Sequence, residues 1–473
     1  MGNASLSGTD PARRAESGGG KEAPVKGDGE AGGGRASREP KGAGADWTEE
    51  RGTSDEGRRR LKGRPEASGA TLWDLGALGA AIRERRISAT ELLGEYLRRV
   101  EAINPSLNAV VTIDAEGALE AARRADQETA RGQAAGPLHG LPVTIKDAIA
   151  TAGIRSAGGA AELADHVPAA DPPAIRRLKD AGAIVYGKTN APRWSGDIQT
   201  YNDLFGTTGH KPSFGIVPQQ GYLDRVGAGS GEPDINVFGP IARSAADLAT
   251  LLDVLAGPAG EQAKAWSLRL PPPRHEDLRD YRVGLWLDDP AAEVATEVGD
   301  VLSAAADSLA RAGVRASDAH PALDLAEARR LYMSLMQPAS HDAWLDHDRA
   351  RTAMRAVWAD WFGEFDVLLC PVFPTAAFPH DRQGTIADRI LLVNGRPRTH
   401  LEATTWTVIV SAAYLPSTVV PAGFTPGGLP VGAQLVGPYL EDRTPLFAGA
   451  GLASLTCGYV VPPAALPPDG GSR

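Results

Sequence analysis

A chain of 473 residues, 42% of them hydrophobic and with a formal net charge of −10, has apolar material for one large domain or two ordinary ones. Its acidity excludes a sequence-independent grip on nucleic acid or on an anionic membrane, which needs a basic surface. Two cysteines, Cys370 and Cys457, are too few for a disulfide framework and too far apart for a metal-ligand pair, and they point to a reduced, cytoplasmic setting.

Residues 1–68 stand apart from the rest. Their only large apolar side chains are Met1, Leu6, Val25, Trp47 and Leu61, set among Gly, Ser, Glu, Lys and Arg. Such a stretch buries too little surface to offset the entropy of ordering it, which predicts a disordered tail. The run Arg58, Arg59, Arg60, Lys62 and Arg64 reads as solvated charge. The start lacks the basic-then-apolar order of a secretory signal, and Leu6 stands where myristoylation wants Ser or Thr. No run reaches the roughly 20 apolar residues that span a bilayer, so no membrane partner is expected.

From about residue 70 the pattern becomes α/β. Ser88 and Glu91, in SATE, make a capping box, and Leu92, Leu93, Tyr96, Leu97 and Val100 follow on one helical face. A short buried strand is predicted at 141–145. A helix at 172–181 is stopped by Gly182, and the strand AIVY follows at 183–186. Ser244 and Asp247 open another helix, with Leu248, Leu251, Leu252 and Leu255 inward and Gly257-Pro258 as the stop. Further strands are predicted at 281–287, 366–370, 417–420 and 431–436. Helices are predicted near 291–312, 322–337, 341–363 and 442–456. The alternation predicts a central mixed sheet covered by helices on both faces. Residues 69–473 make one domain, in which 259–400 reads as a mainly helical cap or substrate channel.

The stretch GPLHGLPVTIKDAIATAGIRSAGGA, 136–160, carries the clearest chemistry. Lys146 follows β-branched and apolar residues at the end of a strand. A lysine held there is costly to keep charged, so its pKa falls and it can act as a base. Spacing alone leaves a second reading open, a strand-end lysine paired with a carboxylate.

GPLHGLPVTIKD, DPPAIRRLKDAGAIVYGKTN and SGDIQTYNDLFGTT together resemble the amidase signature family of serine hydrolases. The resemblance resumes in GHKPSFGIVP, in GPIARSAADLATLLDVLAGP and in VVPAGFTPGGLPVGAQLVGPYLEDRTPLFAGA, so it runs from residue 71 to about 457 with the motifs in order. It implies an α/β fold and the hydrolysis of linear carboxamides by a Ser–cis-Ser–Lys triad. The family's lysine falls on Lys146, as general base. It draws a proton through a bridging serine to the nucleophilic serine, while a Gly-rich loop holds the oxyanion. The resemblance implies no cofactor and no metal. It implies a small amide as the partner and is compatible with a homodimer.

One part of that pattern is missing. Between motifs like GTT and GHKPS the family carries a Gly-Gly-Ser-Ser-Gly-Gly loop, a helix, a core strand and a Gly-Gly-Ser turn. Here Thr208 runs directly into Gly209. Both serines and the oxyanion loop are therefore expected to be absent, the sheet is expected to lose a strand and a helix, and the chain as written is expected to be inactive. The alternatives are a non-catalytic relative that binds an amide or a protein partner, and a deleted form that folds poorly because a helix and an internal strand of the sheet are gone.

No other group is expected to substitute. Ser213 stands in a motif position, and Ser230 lies in a Gly-rich stretch without the nucleophile elbow, since Ala228 takes its first position. Ser156 and Ser195 have only proximity in sequence, and Cys370 reads as a buried strand residue. His341 and His347 are six apart and share no helix face. His139 and His210 read as local hydrogen-bonding groups. Tyr332, Met333, Trp344 and Trp358 read equally as channel lining or as helix packing.

Overall fold

The computed structural model describes residues 67–198, 208–223, 232–337, 339–381 and 383–461. The expected tail lies outside them, except for its last two residues, which open a one-turn helix at Ala67–Ala70. Among the described residues no helix is long and apolar enough to cross a membrane.

Before the Thr208–Gly209 junction the chain builds a three-stranded sheet. Helix α1 (Leu75–Arg83) starts where the Asp74 carboxylate accepts the Ala77 N–H at 2.7 Å. Helix α2 (Ala89–Leu107) carries the predicted capping box, with Ser88 Oγ accepting the Glu91 N–H and Glu91 Oε2 accepting the Ser88 N–H. Strand β1 (Val110–Ile113) and helix α3 (Ala115–Ala130) come next. Strand β2 (Pro142–Lys146), helix α4 (Pro173–Asp180) and strand β3 (Ile184–Thr189) complete this part. The sheet order is β1-β3-β2, with β2 parallel and β1 antiparallel to β3. Gly182 ends α4 with φ 93°, and a Cβ there would meet His139 Cα at 2.6 Å, so only glycine fits.

After the junction a seven-stranded mixed sheet forms. It uses β4 (Thr208–Lys211), β5 (Ile241–Ala242), β6 (Arg282–Leu285), β7 (Arg315–Asp318), β8 (Val367–Pro371), β11 (Ser417–Phe424) and β12 (Pro430–Val436). Their order is β5-β4-β11-β12-β8-β6-β7. β6 is parallel to both β7 and β8, and the remaining pairs are antiparallel. A separate hairpin joins β9 (Ile390–Val393) to β10 (Arg396–Thr399) through Asn394 and Gly395, whose φ angles of 49° and 77° suit a two-residue turn.

Helices cover this sheet. α5 (Ala245–Leu255), α6 (Thr296–Arg311), α7 (Leu325–Leu335), α8 (His341–Glu364), α9 (Thr405–Ala412) and α10 (Arg443–Leu455) complete the set of longer helices. α6 and α10 pack on β11 and β12, and α9 packs on α7. The core runs from Val298 and Leu302 through Val367–Pro371 to Trp406 and Leu452, all buried. A second core joins α1, α4 and α5 to Leu141 and Ile145. The stretch 259–400 supplies β6, β7 and β8 to the sheet as well as α6, α7 and α8.

Candidate active site around Lys146

Lys146 is the last residue of β2, opposite Thr189 of β3. Its side chain is exposed, with protein packed close enough to strip part of its water. The loss of water around the ammonium lowers its pKa from the ordinary lysine value. No hydrogen bond or ion pair engages it among the described residues. Among the described residues it is thus not paired with a carboxylate.

The next residue does the opposite. Asp147 is buried, and its carboxylate accepts the N–H groups of Ala157 and Gly159 at 3.1 and 3.2 Å, while its carbonyl accepts the Gly158 N–H. The chain thus wraps a turn around Asp147. Gly158 and Gly159 take φ 59° and 67°, and a Cβ on Gly159 would strike the Ala191 carbonyl at 2.5 Å. Against this turn lies a second one, Arg193–Ser195, where Trp194 donates its N–H to the Gly158 carbonyl at 2.9 Å. Trp194 and Ser195 are both left-handed, at φ 54° and 53°, and Ser195 Oγ is buried without a hydrogen-bond partner among the described residues. Two consecutive non-glycine residues in that region store strain, which persists where surrounding structure enforces it.

Sequence reasoning missed a second lysine. Lys188 of β3 is fully buried, and its Nζ donates to Thr151 Oγ1 at 2.8 Å and to the Ile149 carbonyl. Burial lowers its pKa to about 7, against the raising effect of Asp147 and Asp171. It caps the loop that follows Lys146. The available signal was a lysine inside the apolar strand AIVYGKT, where a charge has no ordinary place.

The other nucleophile candidates are occupied. Ser156 Oγ donates to the Ile154 carbonyl at 3.0 Å. Ser213 Oγ donates to Asp442 Oδ2 at 2.6 Å. Asp442 also accepts the Ser213 N–H at 2.7 Å and faces His210 Nε2 at 3.3 Å, while His210 Nδ1 pairs with Thr418 Oγ1 at 2.9 Å. Burial raises the pKa of Asp442, but its bonds to His210 and Ser213 outweigh that and hold it below the usual carboxylate range. The group contains Ser, His and Asp, yet the serine bonds the carboxylate rather than the imidazole, so it ties β4 to β11 instead of making a nucleophile.

Cys370 is fully buried in β8, and burial pushes its thiol up to about 12. Ser230 lies outside the described residues. His139 Nδ1 accepts the Ala135 N–H at 3.0 Å. Trp358 is sealed in the core whereas Trp344 of the same helix is exposed, so the two do not line one channel. No group of three metal-ligating side chains comes together among the described residues.

An α/β fold with a lysine of depressed pKa at a strand end fits a hydrolytic centre that uses a lysine base. The Amidase family model matches residues 91–210, 204–341 and 323–446. The chain belongs to the amidase family, enzymes that hydrolyse C–N bonds in amides.

Among curated relatives, a glutamyl-tRNA(Gln) amidotransferase subunit from Thermosynechococcus vestitus is 27% identical over 463 residues, covering 77% of this chain and 93% of that protein. The indoleacetamide hydrolase of Bradyrhizobium diazoefficiens is 28% identical over 452 residues, covering 78% of this chain and 84% of that protein. Of solved structures, a bacterial aryl acylamidase superposes with a TM-score of 0.70 at 19% identity, over 81% of this chain and 96% of that one. That similarity is one of fold.

Proposed function

We propose that this chain is an amidase-family hydrolase of linear carboxamides whose Ser–cis-Ser–Lys centre is incomplete. It keeps the general base, Lys146, and lacks both serines, so the polypeptide as written does not turn amides over. The observation that carries this reading is the place where the sheet divides. Among the described residues, every strand before Thr208 belongs to the three-stranded sheet, and every strand of the seven-stranded sheet begins at Thr208 or later. The family match comes in three pieces, and one of its two breaks falls here, one piece ending at 210 and the next starting at 204. The alignment with the Thermosynechococcus protein likewise runs over more residues than the part of this chain it covers, which supports a segment present there and missing here.

The size of the chemical loss decides the rest. In a serine hydrolase, loss of the nucleophile or its base costs on the order of a million-fold in turnover, and what activity survives comes from the oxyanion hole and binding. With the oxyanion loop also gone, that reserve is lost. Relatives named as an indoleacetamide hydrolase and as an acylamidase support water as the acceptor in the complete enzyme. The ordered turns around Asp147 favour a second reading, in which the chain binds an amide without turnover. A small amide is the partner in the first case and an amide or a protein in the second, a homodimer is compatible with both, and the net charge of −10 supports a protein working in the cytoplasm without nucleic acid.

Fluorophosphonate labelling of the purified chain, read by intact mass beside a thermal melt, tests this. A cooperative melt with no adduct is the expected result. An adduct on one serine that disappears in Lys146→Ala would overturn it and name a substitute nucleophile, with Ser195 the first to inspect.

A further inference from the structure

Five lysines lie among the described residues, and four of them are paired or sealed. Lys179 Nζ meets Asp171 Oδ2 at 2.7 Å, and Lys264, 77% exposed, faces Glu261 at 3.9 Å. Lys211 Nζ donates to the Leu415 and Pro212 carbonyls at 2.7 and 3.2 Å. Lys188 has no exposed surface. Lys146 differs from all four: its side chain is exposed, and no hydrogen bond or ion pair engages it.

The backbone that presents this amine is fixed. Lys146 pairs with Thr189 across β2 and β3, and its carbonyl accepts the Ile149 N–H at 3.0 Å. The polar groups nearest in the two strands and their loop are turned elsewhere. Asp147 gives its carboxylate to the N–H groups of Ala157 and Gly159. Asp171 holds Lys179 and accepts the Ala152 N–H at 2.8 Å. Asn190, the residue after Thr189, donates Nδ2 to the Asn108 carbonyl at 3.1 Å. Among the described residues no carboxylate fixes the Lys146 proton.

That arrangement selects a chemistry. An ammonium has no lone pair, and a lysine at the ordinary 10.5 leaves about one amine in 3,000 neutral at pH 7. Each unit of lowering multiplies that fraction about tenfold, and the partial loss of water moves Lys146 in this direction. A neutral primary amine attacks an electrophilic carbonyl carbon. With an aldehyde, Nζ adds to the carbonyl carbon and gives up two protons, and the oxygen leaves as water. The C=O bond is replaced by C=N, and nothing is oxidised or reduced. Unlike an amide, an aldehyde has no C–N bond to break.

We propose that Lys146 is a covalent carbonyl-binding site that takes small aldehydes as reversible imines on Nζ. This use of Lys146 rests on the reading that both serines are absent, which leaves the amine uncovered.

Incubation of the full chain with benzaldehyde, trapping with sodium cyanoborohydride and peptide mapping test the site, with free acetyl-lysine amide in the same solution. The expected result is a benzylamine on Lys146, formed at least about ten times faster at pH 7 than on Lys264 or on the free lysine. Its rate should level off at a lower pH than that of the free lysine. Concentrated urea should erase the preference, because folding creates it. Lys146→Arg should lose the fast adduct, keep the labelling of Lys264 and melt as the wild type does. Equal rates at Lys146 and Lys264 overturn the proposal, as does a pH profile that coincides with that of the free lysine. So does a preference that survives urea, or a fast adduct retained in Lys146→Arg. None of these outcomes alters the fluorophosphonate result, since that reagent reads serines and the aldehyde reads amines.

Discussion

Strands β2 and β8 are both five residues long, and their surroundings differ in a way that explains the molecule. β8 lies between β12 and β6, and all five of its residues are buried. β2 has β3 on one side and, among the described residues, no strand on the other, and its last residue is exposed. The strand that carries the packing is complete. The strand that carries Lys146 is an edge among the described residues, with hydrogen-bonding groups facing away from the sheet. In this chain the fully buried central strand and the strand that ends in Lys146 fall on opposite sides of one junction.

Three substitutions separate those sides, beginning with the largest effect. Asp442→Ala strikes the tie between β4 and β11, leaving His210 and Ser213 buried without their partner. It should cost about 3–5 kcal/mol, as loss of one member of a buried polar pair does, read as a lower urea midpoint. A loss under about 1 kcal/mol would mean that β4 is not held in the large sheet as described.

Lys188→Met addresses the small sheet. The folded pKa of Lys188 is about 7 against an ordinary 10.5. The unfolded chain therefore binds the extra proton between those values, and the stability of the wild type rises with pH through that window. Methionine has no such dependence. The wild type should gain on the variant by more than about 1 kcal/mol between pH 7 and pH 10, since a tenfold change in proton affinity is worth about 1.36 kcal/mol. Melts of both proteins at several pH values would show this, and parallel curves would refute a buried amine.

Lys146→Ala should change stability by less than about 0.5 kcal/mol, because the side chain is exposed and unengaged. A larger loss would show that Lys146 holds the edge strand in place and would weaken its assignment as an idle base.

Much of this was legible beforehand where a local pattern and the tertiary structure agree. The Ser88–Glu91 box, the Gly182 stop and the apolar strand at 366–370 each specify one outcome and obtain it. α3 was not legible: AEGALEAARRADQETA buries only Ala118, Ala122 and Ala125, a stripe too small to register as a hydrophobic face. α9, TWTVIVSA, is rich in β-branched residues and reads as strand, yet packing against α7 makes it a buried helix. The β9–β10 hairpin did carry a signal, the Asn-Gly pair in VNGR. Around the candidate site, the motif singled out Lys146, whereas Lys188 and the strain at Trp194 and Ser195 arise from burial and backbone geometry that no spacing displays.

The two cysteines give the chain an internal clock. Cys457 is exposed and Cys370 sits in the middle of the large sheet with a thiol almost never ionised. A thiol reagent therefore reaches one at once and the other only when β8 leaves its neighbours. Where labelling outpaces reclosing, the rate at which the second label appears is the rate at which the core opens, so the protein reports its own lifetime as a folded molecule through its native thiols.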